Sequence, residues 1–249
     1  MRKHTYKLYN YYVIRKKILI MEEMFFRTKL LLGEENFKKI KNSKILVVGV
    51  GGVGSFVVES LVRSGIHNID ICDGDTVNIT NLNRQIMSNL YNIGEPKVDV
   101  LKKRALNINQ NLNINTYNFY FNENTYQKID FKSYDYIIDC IDDIKNKIFL
   151  IIKSYEFNIN IISSMGTGNK INPTELEVCD IYKTSMCPLA RIVRRELRKN
   201  NINALKVVYS KEKPKYVPKD KVNSSMIFVP ATAGLIISSE VIKNIISWE

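Results

Sequence analysis

The sequence predicts an α/β fold: a Rossmann-like, mainly parallel sheet with helices on both faces, extended by antiparallel strands and a C-terminal helix. Three observations predict it. The apolar run Ile45-Leu46-Val47-Val48 feeds directly into VVGVGGVGS, with Gly49, Gly51, Gly52 and Gly54. A buried strand, a glycine loop and a helix start, in that order, let backbone approach a polyphosphate while free N–H groups face its charge. Apolar strand-like runs then alternate with helix-like segments as far as Ser164, the pattern of a parallel sheet covered on both faces. After Met165 the rhythm changes, and an antiparallel strand and a basic helix follow.

Residues 44–49 read as a strand, 53–64 as a helix and 68–72 as a second strand. Pro96 opens a helix to about residue 109, proline being well placed in a first turn. Residues 114–119 and 134–140 read as strands, 143–157 as a helix and 160–164 as a strand. Beyond them come an antiparallel strand over 176–181, a very basic helix over 188–199 and a strand over 206–210. Residues 211–225 form a polar loop holding Pro214 and Pro218, and 231–248 a docked amphipathic helix. Residues 1–23, basic and aromatic, read as an N-terminal extension, with Met21 or Met24 as an alternative start. Residues 24–249 form the folded domain, divided into a nucleotide-binding half (24–165) and a substrate-binding half (166–249).

The chain has 249 residues, 45% hydrophobic and 25% charged, an ordinary globular composition that allows one full core. No apolar run approaches the ~20 residues that span a bilayer, so the expectation is a cytoplasmic protein without stable membrane insertion. The net charge of +12 attracts nucleic acid or acidic membranes. The richness in Ile, Asn and Lys that AT-rich coding produces is the competing source of that excess. None of the four cysteines forms a CxxC pair, so no zinc clamp is visible. Cys72 and Cys140 sit in apolar strand-like runs, where a thiol is inert.

The glycine loop with Asp73 ending the second strand, an acidic group placed for a ribose hydroxyl, would by itself suit a nicotinamide enzyme. The residues downstream decide otherwise. Asp73-Gly74-Asp75 leads into Asn78-Ile79-Thr80-Asn81-Leu82-Asn83-Arg84-Gln85, then Gly94-Glu95-Pro96-Lys97, then Asp139-Cys140-Ile141-Asp142-Asp143. Arg84 can fork onto phosphate oxygens, Lys97 gives a compact positive charge and Asn81 donates a hydrogen bond. Asp142, just past a strand end, can hold magnesium or position the reacting groups. A nicotinamide leaves this set without work; a triphosphate uses it.

This arrangement resembles the adenylating enzymes of the ubiquitin-activating type, whose bacterial members serve thiamin and molybdopterin synthesis. The resemblance implies ATP bound by Gly49, Gly51, Gly52 and Gly54, by Asp73 with Asp75, and by Asn81, Arg84 and Lys97. It also implies magnesium on Asp142, and Arg84, Lys97 and Asp142 as catalytic residues. Arg27, in Phe25-Phe26-Arg27, matches an N-terminal arginine that reaches the neighbouring subunit's ATP, which implies a homodimer. A substrate carboxylate would attack the α-phosphorus, giving an acyl adenylate and pyrophosphate.

Three later stretches resemble the family's tRNA-modifying branch, which cyclises threonylcarbamoyladenosine. They are Gly168 to Thr174, Asp180 to Thr184 with Cys187-Pro188-Leu189-Ala190, and Val207 to Pro214. This resemblance implies a tRNA substrate whose modified adenosine, beside the anticodon, has its carboxylate activated. The carbamoyl group then closes onto the activated carbonyl with net loss of water. A sulfur-relay protein is a further partner to consider. Cys187 reads as structural, with covalent catalysis as the alternative. The rival activity is adenylation of a sulfur-carrier protein C-terminus, as in thiamin or molybdopterin synthesis. Those enzymes generally carry two CxxC pairs, which this chain lacks. A non-catalytic nucleotide sensor is a further rival, against which the full set of ATP residues argues.

Arg191, Arg194, Arg195 and Arg198 recur at spacings of three and four, so they share much of one helical face. With Lys206, Lys211, Lys213, Lys215, Lys219 and Lys221 they form a surface for tRNA phosphates. A solvated face partnered by Glu196 is the plainer alternative. Tyr182, Tyr209 and Tyr216 are candidates for stacking on bases.

Overall fold

The computed structural model describes residues 23–214 and 224–248. They hold seven α-helices and seven strands. Helices α1 (Phe26–Leu32) and α2 (Glu34–Asn42) precede β1 (Lys44–Val48). There follow α3 (Gly54–Ser64), β2 (Asn68–Cys72), α4 (Lys97–Ile108), β3 (Asn113–Tyr117), β4 (Tyr136–Asp139), α5 (Ile144–Glu156) and β5 (Asn160–Ser164). The second half holds β6 (Leu176–Asp180), α6 (Pro188–Lys199), β7 (Lys206–Ser210) and α7 (Phe228–Ile246).

The strands form one sheet in the order β3-β2-β1-β4-β5-β7-β6. All pairs are parallel except β6–β7. The expected antiparallel extension is therefore one edge strand, β6. β7 joins β5 in parallel and so belongs to the main sheet.

Alternation along β1 explains the layers. Ile45 and Val47 face one core with Val57, Val58 and Leu61 of α3, Leu101 of α4 and Ile237 of α7. Leu46 and Val48 face the other, with Leu150 and Ile151 of α5 and Val193 and Leu197 of α6. A strand buried on both faces needs apolar residues at every position, which is why 45–48 is a continuous apolar run. β2 breaks its run with Asp70, which is buried but satisfied: it accepts hydrogen bonds from Tyr134 at 2.6 Å and from the Asn115 side chain at 2.9 Å.

Contrary to the expectation that no run approaches a bilayer's span, α7, with 19 residues, is long and apolar enough by length and composition to cross a membrane, because Ser238, Ser239, Glu240, Lys243 and Asn244 interrupt it less than the sequence suggested. Here it lies on α3, its Val229, Ala233, Ile237 and Val241 buried in the shared core. The Ser60 hydroxyl donates to the Ser238 hydroxyl at 2.6 Å across the contact. This is the docked helix expected from the sequence, beginning three residues earlier. Residues 1–22, and with them Met21 and most of the expected extension, lie outside the described residues, as do Lys215, Tyr216, Pro218, Lys219 and Lys221.

Register places the working edge. Val48 of β1 pairs with Cys72 of β2 on one side and with Asp139 of β4 on the other. The three strands therefore end level, and the loops that follow them, beginning at Gly49, Asp73 and Cys140, leave the sheet together. Strand order reverses between β1 and β4, so this edge is the crevice where open α/β sheets bind ligands.

Candidate functional site

The turn after β1 is held by close backbone contact. Gly49 has φ +87°, and a Cβ there would lie 2.6 Å from the Cys140 carbonyl oxygen. A Cβ on Gly54, the first residue of α3, would lie 1.8 Å from the Gly49 carbonyl oxygen. The loop thus folds onto its own helix start and against the β4 loop. Gly51 and Gly52 are only half-buried and carry no such backbone conflict, so they form the approachable rim.

Asp73 closes β2 and braces the loop. Its Oδ2 accepts from the Val50 N–H at 2.7 Å and its Oδ1 from the Asp75 N–H at 2.8 Å. Burial pushes its carboxyl above the usual range, against the pull of those hydrogen bonds and of Lys97. Asp75 accepts from the Lys97 ammonium at 2.6 Å and from the Tyr120 hydroxyl at 2.5 Å. Partial burial raises the Asp75 carboxyl, but Lys97 and Tyr120 outweigh it and hold it below the usual range. The Lys97 side chain is 7% exposed, its Asp75 partner 45%.

The chain between them is pinned back on itself. Thr76 bridges Pro96, the Lys97 N–H donates to the Asp75 carbonyl at 3.0 Å, and Val77 and Met87 are buried. Asn81 is buried in a reciprocal cap: its Oδ1 accepts from the Asn78 N–H, and the Asn78 Oδ1 from the Thr80 N–H, both at 2.9 Å. The Asn81 amide oxygen is committed to this turn, so the amide nitrogen is what it can offer a phosphate. Arg84 donates to the Thr80 carbonyl at 2.7 Å and to the Asn83 side chain at 3.0 Å. Its aliphatic stem lies beside Gly52, 3.5 Å from where a Cβ would stand.

Asp142 is exposed in the loop after β4, while Asp143 caps α5, accepting from the Asn146 N–H at 2.9 Å. Its hydrogen bond to Asp75 first, then the charges of Asp75, Asp73 and Asp142 with a little burial, raise the Tyr120 hydroxyl above its ordinary range. Tyr120 thus stands among all three carboxylates. Among the described residues no group of three His, Cys, Asp or Glu side chains could hold a metal. A lone carboxylate beside a polyphosphate suits magnesium, which keeps several waters and takes one or two protein carboxylates.

Sequence reasoning missed three residues. The ammonium of Lys147, the fourth residue of α5, is fully buried, 2.7 Å from Asp139 Oδ2 and 3.0 Å from the Ser164 carbonyl. Ser163 donates to the same Asp139 oxygen at 2.5 Å. Tyr120, exposed in a loop, carries no sequence signal at all.

The substrate half departs from expectation at two side chains. Arg194 points inward, donating to the carbonyls of Ile181 (3.2 Å) and Thr184 (2.7 Å) and to the Thr184 hydroxyl. Helical spacing placed it beside Arg191 and Arg198, but the turn before α6 packs there and takes its guanidinium. Arg191, Arg195 and Arg198 are exposed; Arg195 pairs with Glu196 at 3.1 Å, and Arg198 lies over the Tyr182 ring. Tyr209 is buried in β7 with its hydroxyl on Glu177 at 3.0 Å, so no base can stack on it. Cys187 is a buried N-cap of α6, its sulfur 3.5 Å from the Ala190 N–H. Burial pushes the Cys72 thiol, in β2, far up, and likewise that of Cys140, which lies just past the end of β4 rather than in the strand expected for it.

Set at the switch point of a parallel sheet, this constellation defines a Rossmann-like protein with a phosphate-binding type of loop. The chain belongs to the ThiF family, whose profile matches residues 26–249. It is 38% identical over 243 residues to the tRNA threonylcarbamoyladenosine dehydratase of Bacillus subtilis (strain 168), covering 91% of this chain and 96% of that protein. The E. coli tRNA N6-threonylcarbamoyladenosine dehydratase TcdA in complex with AMP superposes with a TM-score of 0.85 at 30% identity, covering 91% of this chain and 95% of that one. The complex of the same enzyme with ATP superposes with a TM-score of 0.83 at 31% identity over the same shares.

Proposed function

We propose that this protein is a cytoplasmic, magnesium-dependent enzyme that uses ATP to cyclise threonylcarbamoyladenosine beside the anticodon of tRNA. The observation that carries the reading is the convergence, at one sheet edge, of the glycine loop, Asp73, Lys97, Arg84 and the Asp142 loop. The near full-length similarity to dehydratases with that name supports the substrate.

The glycine loop takes the phosphates on backbone N–H groups at the start of α3. Asp73 and Asp75 lie where ribose hydroxyls would be received. Lys97 and Arg84 neutralise the phosphate oxygens, and Asn81 adds a donor. Asp142 would hold magnesium, which would supply charge neutralisation on the polyphosphate. The substrate carboxylate oxygen attacks the α-phosphorus and pyrophosphate leaves; the carbamoyl group then closes onto the activated carbonyl and AMP leaves. Holding the two groups of one nucleoside together makes ring closure intramolecular, so proximity carries that step. No protein nucleophile is needed, and Cys187 acts as a helix cap.

Residues 24–165 bind the nucleotide and 166–249 the substrate in this reading. Arg27 lies by Ser64, at the far end of α3 from the glycine loop. The 11 residues of α3 separate them by about 15 Å. In this reading Arg27 serves the nucleotide of a second copy, and the exposed Phe26, Leu30 and Leu31 of α1 are the apolar residues that would meet it in a homodimer.

Mass spectrometry of tRNA nucleosides after incubation with ATP and magnesium tests the reading. Loss of one water from threonylcarbamoyladenosine is expected. Pyrophosphate exchange driven by an added carrier protein, with tRNA unchanged, would overturn it. On the tRNA face, Arg191→Glu with Arg195→Glu is expected to weaken tRNA binding roughly 10-fold or more at moderate salt, since each lost phosphate contact removes a counterion-release term. ATP affinity should hold. Arg194 is unsuitable for this test because its guanidinium is tied internally. Unchanged tRNA affinity in a filter-binding assay would move the tRNA surface elsewhere.

A further inference from the structure

We propose that Lys147 is a positioning residue that ties the Asp142 loop to the opening of the substrate half, so that nucleotide binding and substrate placement respond together. The inference rests on the ATP site proposed above.

Lys147 reaches two strand ends at once. Its ammonium holds Asp139 at the end of β4 (2.7 Å), Ser163 in β5 (3.2 Å) and the Ser164 carbonyl at the end of β5 (3.0 Å). The other Asp139 oxygen accepts from the Ile141 N–H at 3.0 Å, which sets the turn leading to Asp142. Through Cys140 the same turn walls the glycine loop, because the Cys140 carbonyl leaves no room for a Cβ on Gly49. On the far side, the chain passes from Ser164 to Met165 and Gly166. A Cβ on Gly166 would lie 3.9 Å from the Cys187 sulfur, at the start of the basic helix α6.

A fully buried ion pair gives little net stability, since burying both charges offsets their attraction. An apolar pair would fill the space as well. A buried ammonium, however, fixes directions: each donor is committed to a named acceptor, and the two loops cannot shift independently without leaving charge unpaired. Neither Asp139 nor Lys147 can reach a ligand, as both are fully enclosed. Their influence passes through the backbone of residues 140–142 and 164–166.

Lys147→Met alone leaves Asp139 as a buried unpaired charge and is liable to unfold the protein. The informative variant is Asp139→Asn with Lys147→Met. It removes both charges while keeping an amide oxygen for the Ile141 N–H. The readouts are ATP affinity by calorimetry, backbone amide exchange with and without ATP, and single-turnover tRNA conversion. In the wild type, ATP is expected to slow exchange at residues 140–143 and 165–168 together. In the double variant, ATP affinity should stay within about threefold and protection at 140–143 remain. Protection at 165–168 should vanish, and conversion should fall at least tenfold. Shared protection persisting in the variant overturns the proposal. So does a wild type in which ATP protects only residues 140–143, or a variant whose ATP affinity falls more than tenfold, which marks a merely structural pair. A wild type that shows shared protection but leaves tRNA unchanged removes the proposed activity and keeps the tie.

Discussion

Gly54→Ala is expected to abolish ATP binding and to destabilise the fold, whereas Gly51→Ala is expected to abolish binding alone. The two glycines sit three residues apart in one loop but face different neighbours. A Cβ on Gly54 would lie 1.8 Å from the Gly49 carbonyl oxygen and 2.9 Å from its carbon, both backbone atoms. Nothing flexible can yield there. The β1 turn would have to open and carry the start of α3 with it, at a cost of several kcal/mol, beyond the ~1–3 kcal/mol usual for overpacking a core. At Gly51 a Cβ meets nothing nearer than the Gln85 side-chain nitrogen at 3.7 Å, and φ is not positive. Stability should change by less than about 1 kcal/mol. The added methyl would instead stand on the rim where a polyphosphate approaches the backbone. Thermal unfolding and ATP calorimetry on both variants separate the effects. If Gly51→Ala binds ATP as the wild type does, phosphates do not lie over this loop.

The contrast shows what kind of information a sequence carries. The glycine loop was legible because only close backbone approach demands so many missing side chains after a buried strand. β1 and β4 were legible because they are buried along their length and carry the continuous apolar runs 45–48 and 136–138, and β5 because Ile161 and Ile162 sit in its buried stretch. Asp73, Lys97 and Arg84 could be singled out because their order along the chain is unusual, although that order gave no hint that Lys97 rests on Asp75. Arg194 misled because spacing assigns a residue to a helix face without saying what packs on that face. The turn at 181–184 decided its fate, and that contact is tertiary. Lys147 carried a usable signal. It falls on the same stripe as Leu150, Ile151 and Ser154, all buried in α5. A lysine on an apolar stripe implies an internal partner, and Asp139, eight residues earlier at a strand end, was available. Tyr120 was illegible because a loop tyrosine gains meaning only from the carboxylates that folding brings around it.

Lys97→Met is expected to lower kcat for adenylation by roughly 10²–10³-fold, the usual loss when one preorganised donor to developing charge is removed. The protein should stay folded. Methionine keeps most of the buried stem, and Asp75, 45% exposed, can turn to water when its partner is lost. The pH dependence gives an independent check on the pair. Lys97 and Tyr120 hold the Asp75 carboxyl below its ordinary value of 3.8 in the folded chain, against the opposing effect of burial. A carboxyl depressed on folding contributes stability that is complete above its unfolded pKa and fades as pH falls through the folded one. Solvent screening at a half-exposed carboxylate limits this contribution to about 1 kcal/mol. The wild type should therefore exceed Lys97→Met in stability near neutral pH, and the margin from this pair should shrink as the medium is acidified below about 4. Denaturant titrations at neutral and acidic pH measure the margin directly. A margin that stays constant on acidification would mean that Lys97 supports the fold by packing alone. A variant with unchanged kcat would remove Lys97 from the phosphate site.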